Sequence, residues 1–331
     1  MRLVPLGRTG LKVSQLCLGT LTFGLQCDEK QSHHILDKAV EGGINFIDTA
    51  NVYPLGRDMG LSGRGRTEEI IGTWLPGRRD EVVLATKCSS DIGPLPWQQG
   101  SSRRSIRTAV EGSLRRLQTD YVDVLQLHRP DPDTPIDETL EALDALVRAG
   151  KVLYVGCSNF YAYQVARAIG RSEVRDLVRL DTVQPRYNLL FRQVERELFP
   201  LCAQEEVAVI PYNPLAGGLL SGKHSREQAT EGSRFTLGKV GAGYRDRYWH
   251  EREFATIDAL RPVAADAGLS LSTMAIAWVM HNPVVCAPIV GVSRIEQLTD
   301  VLAAIDVVLD PELLKRLDDL TREYRRGDDA R

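Results

Sequence analysis

The sequence has little of what marks three large classes of proteins: long apolar runs, a signal-peptide core and clusters of basic residues. No apolar stretch in its 331 residues approaches the roughly 18 residues of a membrane-spanning helix. The N-terminal segment, MRLVPLGRTGLKVS, lacks the apolar core of a signal peptide. A formal net charge of -3 and a pI near 6.1 lack the basic excess that nucleic-acid binding needs. We therefore expect a soluble, cytoplasmic protein that binds neither membranes nor nucleic acid.

The cysteines show neither the spacing of a metal site nor that of a redox pair. The six of them contain no C-x-x-C, and no Cys/His group has a spacing suited to zinc. The histidines outside the segment 121–131 also lack metal-ligand spacing. We expect free thiols in a reducing compartment and no metal site.

Two common nucleotide-binding motifs are absent, and a third is incomplete. The chain contains no G-x-G-x-x-G, so a Rossmann dinucleotide domain is not supported. It also contains no Y-x-x-x-K pair of the kind found in short-chain reductases. The string GGLLSGKH at 217–224 approaches the P-loop pattern, but His224 stands where that motif has Ser or Thr. We therefore reject an NTPase function.

Short apolar runs alternate with amphipathic stretches along the whole chain. A hairpin pattern at residues 3–13 comes first. Eight strand-like runs follow, at 16–20, 45–50, 82–87, 122–128, 152–159, 182–188, 207–213 and 285–292. Eight parallel strand–helix units favour a closed barrel, because an open doubly wound sheet usually has fewer strands. We predict an α/β fold, a (β/α)8 TIM barrel with an N-terminal hairpin, formed as one domain by residues 1–331.

Helix-like stretches separate the strands, and two of the connections between them are long. Ser32 and Asp133 stand where N-terminal caps are expected, and Gly150 where the fourth helix ends. The long connections, 88–102 and 217–250, both follow the C-terminal end of a strand. Long loops in a compact domain are usually functional, and barrel active sites form at this face. The helix-like stretches are 29–43, 66–75, 103–118, 136–150, 163–172, 194–206, 272–282, 294–305 and 312–324.

Polar residues collect at the predicted strand ends. A charge at one strand end is unremarkable, but a barrel brings all eight ends to one mouth, so several together indicate a site. The residues at or near these ends are Asp48, Lys87, His128, Ser158, Asn159, Gln184, Tyr212 and Asn213.

Six motifs in order along the chain resemble the aldo-keto reductase superfamily. They are INFIDTANVY (44–53), VVLATK (82–87), YVDVLQLHRPD (121–131), VGCSNF (155–160), QPRYN (184–188) and IPYNPLAGGLLSGK (210–223). The resemblance extends from LGT at 18–20 to GVSRIEQL at 291–298 and is strongest to the bacterial, long-loop type related to the β subunits of potassium channels. It implies NADPH-dependent reduction of an aldehyde or ketone to an alcohol.

The resemblance makes Tyr53, Asp48, Lys87 and His128 the catalytic residues, and their chemistry suits the reaction. Tyr53 is expected to give the carbonyl oxygen a proton, with its pKa lowered toward neutrality by the Lys87 ammonium. Asp48 is expected to hold Lys87 charged, and His128 to polarise the carbonyl. Taken singly, each of the four also has a structural explanation. Asp48 could be a helix cap or a salt-bridge partner, and Tyr53 a phenol at an interface. Lys87 could be an ordinary charge at a strand end, and His128 a polar residue at a turn.

The resemblance also implies a nicotinamide dinucleotide extended across the mouth. Ser158, Asn159 and Gln184 are expected to bind its carboxamide, and Tyr212 to stack on the ring. Further cofactor contacts are expected from Gly19, Thr20, Asn213, Leu215, Gly217, Leu219, Ser221, Lys223 and Gly291.

The segment GVSRIEQLTDV at 291–301 is expected to hold the adenosine end of the cofactor. Its backbone N–H groups and Arg294 can meet a 2′-phosphate at the start of a helix, so Ser293, Arg294 and Gln297 favour NADPH over NADH. Many relatives have Asn at the position of Val301, and the neighbouring Asp300 is a candidate substitute for adenine recognition.

The sequence leaves the substrate and the assembly open. Trp97 and Tyr248 are tentative substrate contacts, and the loop 54–72 either shapes the substrate pocket or makes no contact. Alternative functions are a cofactor-binding regulatory subunit, a class I aldolase with Lys87 as its Schiff-base residue, and, among reductases, one acting on nucleotide-linked ketosugars. The expected partner is a small carbonyl compound, and both monomer and homo-oligomer remain open.

Overall fold

The computed structural model describes residues 1–55 and 63–327, and in them ten β-strands. The first two, β1 and β2, form an antiparallel hairpin, and the other eight form one parallel sheet. The strands are β1 Leu3–Pro5, β2 Lys12–Ser14, β3 Cys17–Gly19, β4 Phe46–Asp48, β5 Val83–Cys88, β6 Val122–Leu127, β7 Val152–Ser158, β8 Thr182–Gln184, β9 Ala208–Val209 and β10 Ile289–Gly291. Seven of the eight predicted runs contain one of the parallel strands, and the run 82–87 covers β5 except for its last residue, Cys88.

The parallel sheet closes into a barrel. Its strand order is β10-β3-β4-β5-β6-β7-β8-β9, so neighbours in the chain are neighbours in the sheet. Parallel bridges join Val209 to Val285 and Tyr212 to Ile289, and these connect the strands at the two ends of that order. The prediction of a (β/α)8 barrel with an N-terminal hairpin is confirmed.

Eleven α-helices lie in the described residues, and the prediction missed two of them. The missed helices are α7 and α8, and α7 lies within the segment that was expected to be a loop at 217–250. The connection 89–102 is long as predicted, with one 3-10 turn at Pro96–Gln98. The helices are α1 Glu29–Glu41, α2 Arg66–Trp74, α3 Arg103–Leu117, α4 Ile136–Arg148, α5 Ala162–Arg175, α6 Leu198–Gln204, α7 Gly238–Tyr248, α8 Glu251–Asp266, α9 Leu271–His281, α10 Gln297–Ala303 and α11 Pro311–Thr321.

Two of the predicted helix caps are wrong. The N-cap of α1 is Asp28, whose carboxylate accepts the N–H of Gln31, while Ser32 lies inside the helix. The N-cap of α4 is Pro135. Asp133 lies before it, in the turn where its own N–H donates to Asp131. Gly150 does follow the end of α4, with a φ of +69° that favours glycine.

The hairpin closes the N-terminal end of the barrel. Leu6 and Val13 are fully buried against the inward-facing residues of the strands. Gly7 has a φ of +58°, and a Cβ atom on it would lie 2.5 Å from the carbonyl oxygen of Glu206. Only glycine permits so close an approach. Access to the barrel interior is therefore from the opposite end, where the parallel strands terminate.

The length and composition of the helices bear on whether any of them could cross a membrane. Among the described residues, no single helix is both long and apolar enough to cross a membrane. The pair α8 and α9, bent by 90° at the break between them, reaches that length and composition only when taken together.

Candidate active site

A buried ion pair lies at the C-terminal ends of two adjacent strands. Asp48 is the last residue of β4, and Lys87 lies one residue before the end of β5. The Lys87 Nζ atom is 2.6 Å from Asp48 Oδ2 and 2.8 Å from the carbonyl oxygen of Thr49. Both side chains are almost completely removed from solvent. The pairing and these hydrogen bonds compensate for the burial of two charges.

Tyr53 follows β4 and provides the third hydrogen-bond partner of the Lys87 ammonium. Its hydroxyl oxygen is 3.4 Å from Lys87 Nζ, which donates to it, and Lys87 Nζ is 4.9 Å from the centroid of its ring. The rings of Tyr53 and His128 lie edge to face with centroids 5.8 Å apart. The structure thus brings Asp48, Lys87, Tyr53 and His128 together.

The electrostatics of Tyr53 differ from the prediction. Burial raises the pKa of Tyr53 above its usual value, and the charge of Lys87 lowers it by less. Burial opposes the charged form of Lys87 as well, but Asp48 and Tyr53 raise the pKa of Lys87 on balance. The expected pKa near neutrality is therefore wrong, because desolvation of the phenolate outweighs the ammonium. Tyr53 is a neutral phenol, and Lys87 is an ammonium, at neutral pH.

His128 is a half-buried, neutral imidazole beside Tyr53. Burial lowers the pKa of His128 well below its usual value, and the charges of Lys87 and Arg129 lower it further. Its Nδ1 atom lies 2.9 Å from the hydroxyl oxygen of Ser90. That contact leaves Nε2 as the ring nitrogen available to a ligand at the mouth.

The residues expected to hold the carboxamide form one hydrogen-bonded network. Gln184 donates through Nε2 to Asp48 Oδ1 at 2.8 Å, and Ser158 donates through Oγ to the carbonyl oxygen of Gln184 at 2.8 Å. Asn159, with a φ of +62°, donates to the carbonyl oxygen of His128 and accepts the Tyr212 hydroxyl at 2.9 Å. This network is thus linked to the Asp48–Lys87 ion pair through Gln184.

A cavity of about 710 Å³ extends from the ion pair along the C-terminal face. Lys87 lies behind the wall that Asp48 and Tyr53 form. Nearly all predicted site residues line the cavity: Gly19, Thr20, Asp48, Tyr53, His128, Ser158, Asn159, Gln184, Tyr212, Asn213, Leu215, Gly217, Ser221, Lys223, Gly291, Ser293, Arg294, Gln297 and Asp300.

The segment 214–250 forms one long wall of this cavity. Asn213, with a φ of +66°, accepts the N–H of Gly217. Gly217 and Gly218 both have positive φ and line the cavity, and a Cβ atom on Gly217 would crowd the ring of Tyr244. On the far side, Gln26 donates to the carbonyl oxygen of Gly232 at 2.6 Å and ties the wall to the loop after β3.

The far end of the cavity contains the residues expected to meet adenosine. The side chain of Gln297 accepts the N–H of Ser293 at 2.8 Å and that of Arg294 at 3.2 Å, so these amides are already paired. Burial and the nearby charge of Arg294 lower the pKa of Lys223. Asp300 and Val301 both line this end.

Three predicted contacts lie elsewhere. Tyr248 is buried behind Asn213, whose side chain donates to its hydroxyl at 2.9 Å, so its position does not support a substrate contact. Trp97 lies in the turn Pro96–Gln98 beneath the guanidinium of Arg104, away from the cavity lining. Leu219 is buried in the hydrophobic core. The loop predicted at 54–72 includes the start of α2, and its residues 56–62 lie outside the described residues.

Several cavity residues were missed by the sequence analysis. Ser90, which positions His128, lies in the predicted loop 88–102, but a single serine there carries no distinctive signal. Arg234 and Arg247 line the wall, and Arg247 belongs to the missed helix α7. The position of that helix alone could have identified Arg247.

The chain is similar to known proteins over almost its entire length. The model of the Aldo/keto reductase family matches residues 15–322. The uncharacterized oxidoreductase YrpG of Bacillus subtilis is 40% identical over 328 residues, which cover 97% of this chain and 96% of that protein. A probable voltage-gated potassium channel subunit beta of Arabidopsis thaliana is 37% identical over 325 residues, 96% of each chain. A putative aryl-alcohol dehydrogenase of Schizosaccharomyces pombe is 34% identical over 341 residues, covering 95% and 94%.

Proposed function

The chain belongs to the aldo/keto reductase family, and on that premise we propose that it reduces an aldehyde or ketone to an alcohol with NADPH. The observation that carries this proposal is the contact between Lys87 Nζ, Asp48 and the Tyr53 hydroxyl at the inner end of the cavity. A neutral phenol next to a buried ammonium is a proton donor whose conjugate base is stabilised in place.

The proton step follows from this geometry. A carbonyl oxygen placed at the Tyr53 hydroxyl accepts its proton as the carbonyl carbon is reduced. The phenolate that forms lies 3.4 Å from Lys87 Nζ, whose positive charge stabilises it. Asp48, at 2.6 Å, keeps Lys87 protonated and fixed in orientation. Water then restores the proton of Tyr53 after the alcohol leaves.

His128 orients the carbonyl group. Its neutral Nε2–H can donate a hydrogen bond to the same oxygen that Tyr53 protonates, because the two rings are adjacent, edge to face with centroids 5.8 Å apart. Ser90 holds the ring through Nδ1. Two donors converging on one oxygen stabilise the negative charge that develops there during the reaction.

The cavity fits an extended nicotinamide dinucleotide. We call the end of the cavity at Asp48, Tyr53 and His128 the reaction end. Polar groups there come from Ser158, Asn159 and Gln184, and Tyr212 offers an aromatic face beside them. The turn at Gly217 and Gly218 brings backbone close to the cavity, and Lys223 and Arg294 add positive charge toward its far end. The bound nicotinamide supplies the hydride.

The preference for NADPH over NADH rests on Arg294. Its exposed guanidinium lines the far end of the cavity close to Lys223, so two cations meet there. A 2′-phosphate is the part of NADPH that would pair with them. Arg294→Ala is expected to weaken NADPH binding about tenfold and leave NADH binding nearly unchanged.

A regulatory subunit is the second candidate function. The specific observation that favours it is the 37% identity with a protein named as a probable voltage-gated potassium channel subunit beta. Under this alternative the cavity binds cofactor, but turnover is slight. The complete set of Asp48, Lys87, Tyr53 and His128 favours the enzyme.

The test is oxidation of NADPH by the purified protein in the presence of aldehydes, ketones and nucleotide-linked ketosugars, with the alcohol identified as product. Tyr53→Phe is the matched variant, because it removes only the hydroxyl. We expect turnover to fall about 10²- to 10⁴-fold, with NADPH binding retained. Cofactor binding without alcohol formation by the wild type would favour the regulatory subunit, and near-normal rates in Tyr53→Phe would exclude Tyr53 as the proton donor.

A further inference from the structure

Helix α7 presents one face to the cavity. Lys239, Val240, Gly243, Tyr244 and Arg247 line the cavity, and their spacing places them on the same side of the helix. About 12 Å separate the first from the last along the helix axis. The two ends of α7 therefore face different parts of the cavity.

The middle of α7 lies over the glycine turn. A Cβ atom on Gly217 would lie 2.6 Å from Tyr244 Cδ1, so the tyrosine ring packs directly on that turn. The Tyr244 hydroxyl accepts a hydrogen bond from Arg234 at 3.1 Å. Arg234 reaches toward Gly291, at the end of β10. Tyr244 thus packs between the glycine turn and Arg234.

Arg247 lies one helical turn farther on and lines the cavity that also contains Tyr53 and His128. Burial raises the pKa of Tyr212, and the charges of Arg186 and Arg247 oppose that effect. Tyr212 is the residue whose hydroxyl is bonded to Asn159 beside His128. Arg247 therefore faces the same cavity as Tyr212, Tyr53 and His128.

In residues 1–55 and 63–327, no carboxylate forms an ion pair with Arg247. Its guanidinium carbon lies 5.9 Å from the centroid of the Tyr244 ring. Its neighbours differ, since Arg245 donates to the carbonyl oxygen of Phe235 at 3.0 Å and Arg226 pairs with Glu251 and Asp258. Arg247 is exposed and lines the cavity, so its charge is available to a ligand.

We propose that Arg247 binds an acid group of the substrate, and that the preferred substrates are carbonyl compounds carrying a carboxylate or phosphate. This inference rests on the proposed reductase function and specifies its substrate class. The planar guanidinium can form two parallel hydrogen bonds with either anion. The anion would lie at the α7 wall while the carbonyl oxygen meets Tyr53 and His128.

The experiment compares matched substrates that differ in charge. The kcat/KM of the NADPH-loaded enzyme is measured for 4-carboxybenzaldehyde and for its neutral methyl ester, and for glyceraldehyde 3-phosphate and glyceraldehyde. The preference is the ratio of acid to neutral substrate. We expect Arg247→Gln to lower this preference about tenfold, Arg247→Glu to lower it further, and Arg247→Lys to keep part of it. Added salt should reduce the wild-type preference, because the pair is exposed.

Lys239→Gln is the matched control, because Lys239 is also a cation on the cavity face of α7 but lies at the other end of the helix. It should leave the preference unchanged. An unchanged preference in Arg247→Gln overturns the proposal. An equal loss for charged and neutral substrates, with weaker NADPH binding, also overturns it and assigns Arg247 to the cofactor.

A binding measurement separates this inference from the proposed function. Binding of 4-(hydroxymethyl)benzoate to the protein saturated with NADP+ is measured by calorimetry, which requires no turnover. We expect about tenfold weaker binding in Arg247→Gln, and equal binding would contradict the inference. Failure to reduce either aldehyde, with this binding difference intact, would count against the reductase and not against Arg247.

Discussion

The two ends of the cavity wall are built in different ways. At the reaction end, Asp48 and Lys87 belong to strands of the barrel, and all three hydrogens of Lys87 Nζ have partners. At the part of the wall formed by α7, Arg247 belongs to a helix inserted between strand β9 and helix α8. Among the described residues, the Tyr244 ring lies beside it and no carboxylate pairs with it. The first region is fixed by the sheet, whereas the second is an addition to it.

We relate this difference to function: the strand ends carry the proposed proton transfer, and the wall carries the proposed substrate selectivity. Strand ends hold side chains in positions set by the register of the sheet, as in the pairing of Lys87 with Gln126 across β5 and β6. A proton donor needs that constancy, because small displacements reduce proton transfer steeply. A wall made of turns and one helix can vary in its side chains without disturbing the barrel. Substrate recognition belongs naturally to such a region.

The largest expected effect is at the buried ion pair. Lys87→Met removes the charge that stabilises the Tyr53 phenolate, so we expect turnover to fall about 10²- to 10⁴-fold. It also leaves Asp48 buried without its cation, which costs about 3–5 kcal/mol of the free energy of unfolding. Steady-state kinetics and urea denaturation measure the two effects.

Lys151→Met is the control for that prediction. Lys151 also pairs with a carboxylate, Glu111, but both side chains are 36% exposed. The same substitution there should cost at most about 1 kcal/mol and leave turnover unchanged. Equal losses of stability in the two variants would mean that burial does not distinguish the reaction end.

A smaller effect is expected from adding a methyl group inside the barrel. Gly156 lies in β7 opposite Thr182, and a Cβ atom on it would be 1.9 Å from Thr182 Oγ1 and 2.7 Å from the Thr182 carbonyl oxygen. Gly156→Ala should therefore lower the free energy of unfolding by about 1–3 kcal/mol. Adding Thr182→Ala should recover part of the loss in urea denaturation. A tolerated Gly156→Ala would show that the barrel has more freedom there than this account allows.

The smallest effect is expected from the same substitution in the other region. Gly243 lies inside α7, and a Cβ atom on it would have no heavy atom within 4 Å. Gly243→Ala should raise the free energy of unfolding by about 0.5–1 kcal/mol, because alanine loses less conformational entropy in a helix. Thermal unfolding with the wild type as reference is sufficient. A loss of stability would mean that the wall is as tightly packed as the barrel.

The barrel was predictable because its pattern is repeated. Eight apolar runs that alternate with amphipathic stretches left one architecture, and the polar ends of those runs placed Asp48, Lys87 and His128 at one mouth. Helix α7 was not predictable in this way. Its sequence, GKVGAGYRDRY, contains three glycines, which lower helix propensity. The following helix α8 has Pro262 in its interior, a residue that usually marks a break.

Within the site, the sequence indicated which residue types are present, but it did not predict the direction of the pKa shift of Tyr53 or the hydrogen-bond partners of Tyr248. The Lys87–Tyr53 contact was expected, but burial acts on the pKa of Tyr53 more strongly than the lysine does, and burial is a property of the folded mouth. Tyr248 was expected near a substrate because it lies in a long segment, yet its hydroxyl is bonded to Asn188 and Asn213. Only the packing of that segment shows whether Tyr248 anchors the loop or contacts a ligand.

The proposed mechanism requires Tyr53 to be a neutral phenol that donates its proton directly. The most direct test is the rate constant for reduction of an aldehyde in a single turnover, measured from about pH 6 to about pH 9, with Tyr53→Phe as baseline. Because the pKa of Tyr53 is raised and that of His128 is lowered, both groups stay neutral over this interval, and the rate constant should be constant. A decline with a midpoint near neutrality, absent in Tyr53→Phe, would contradict the account.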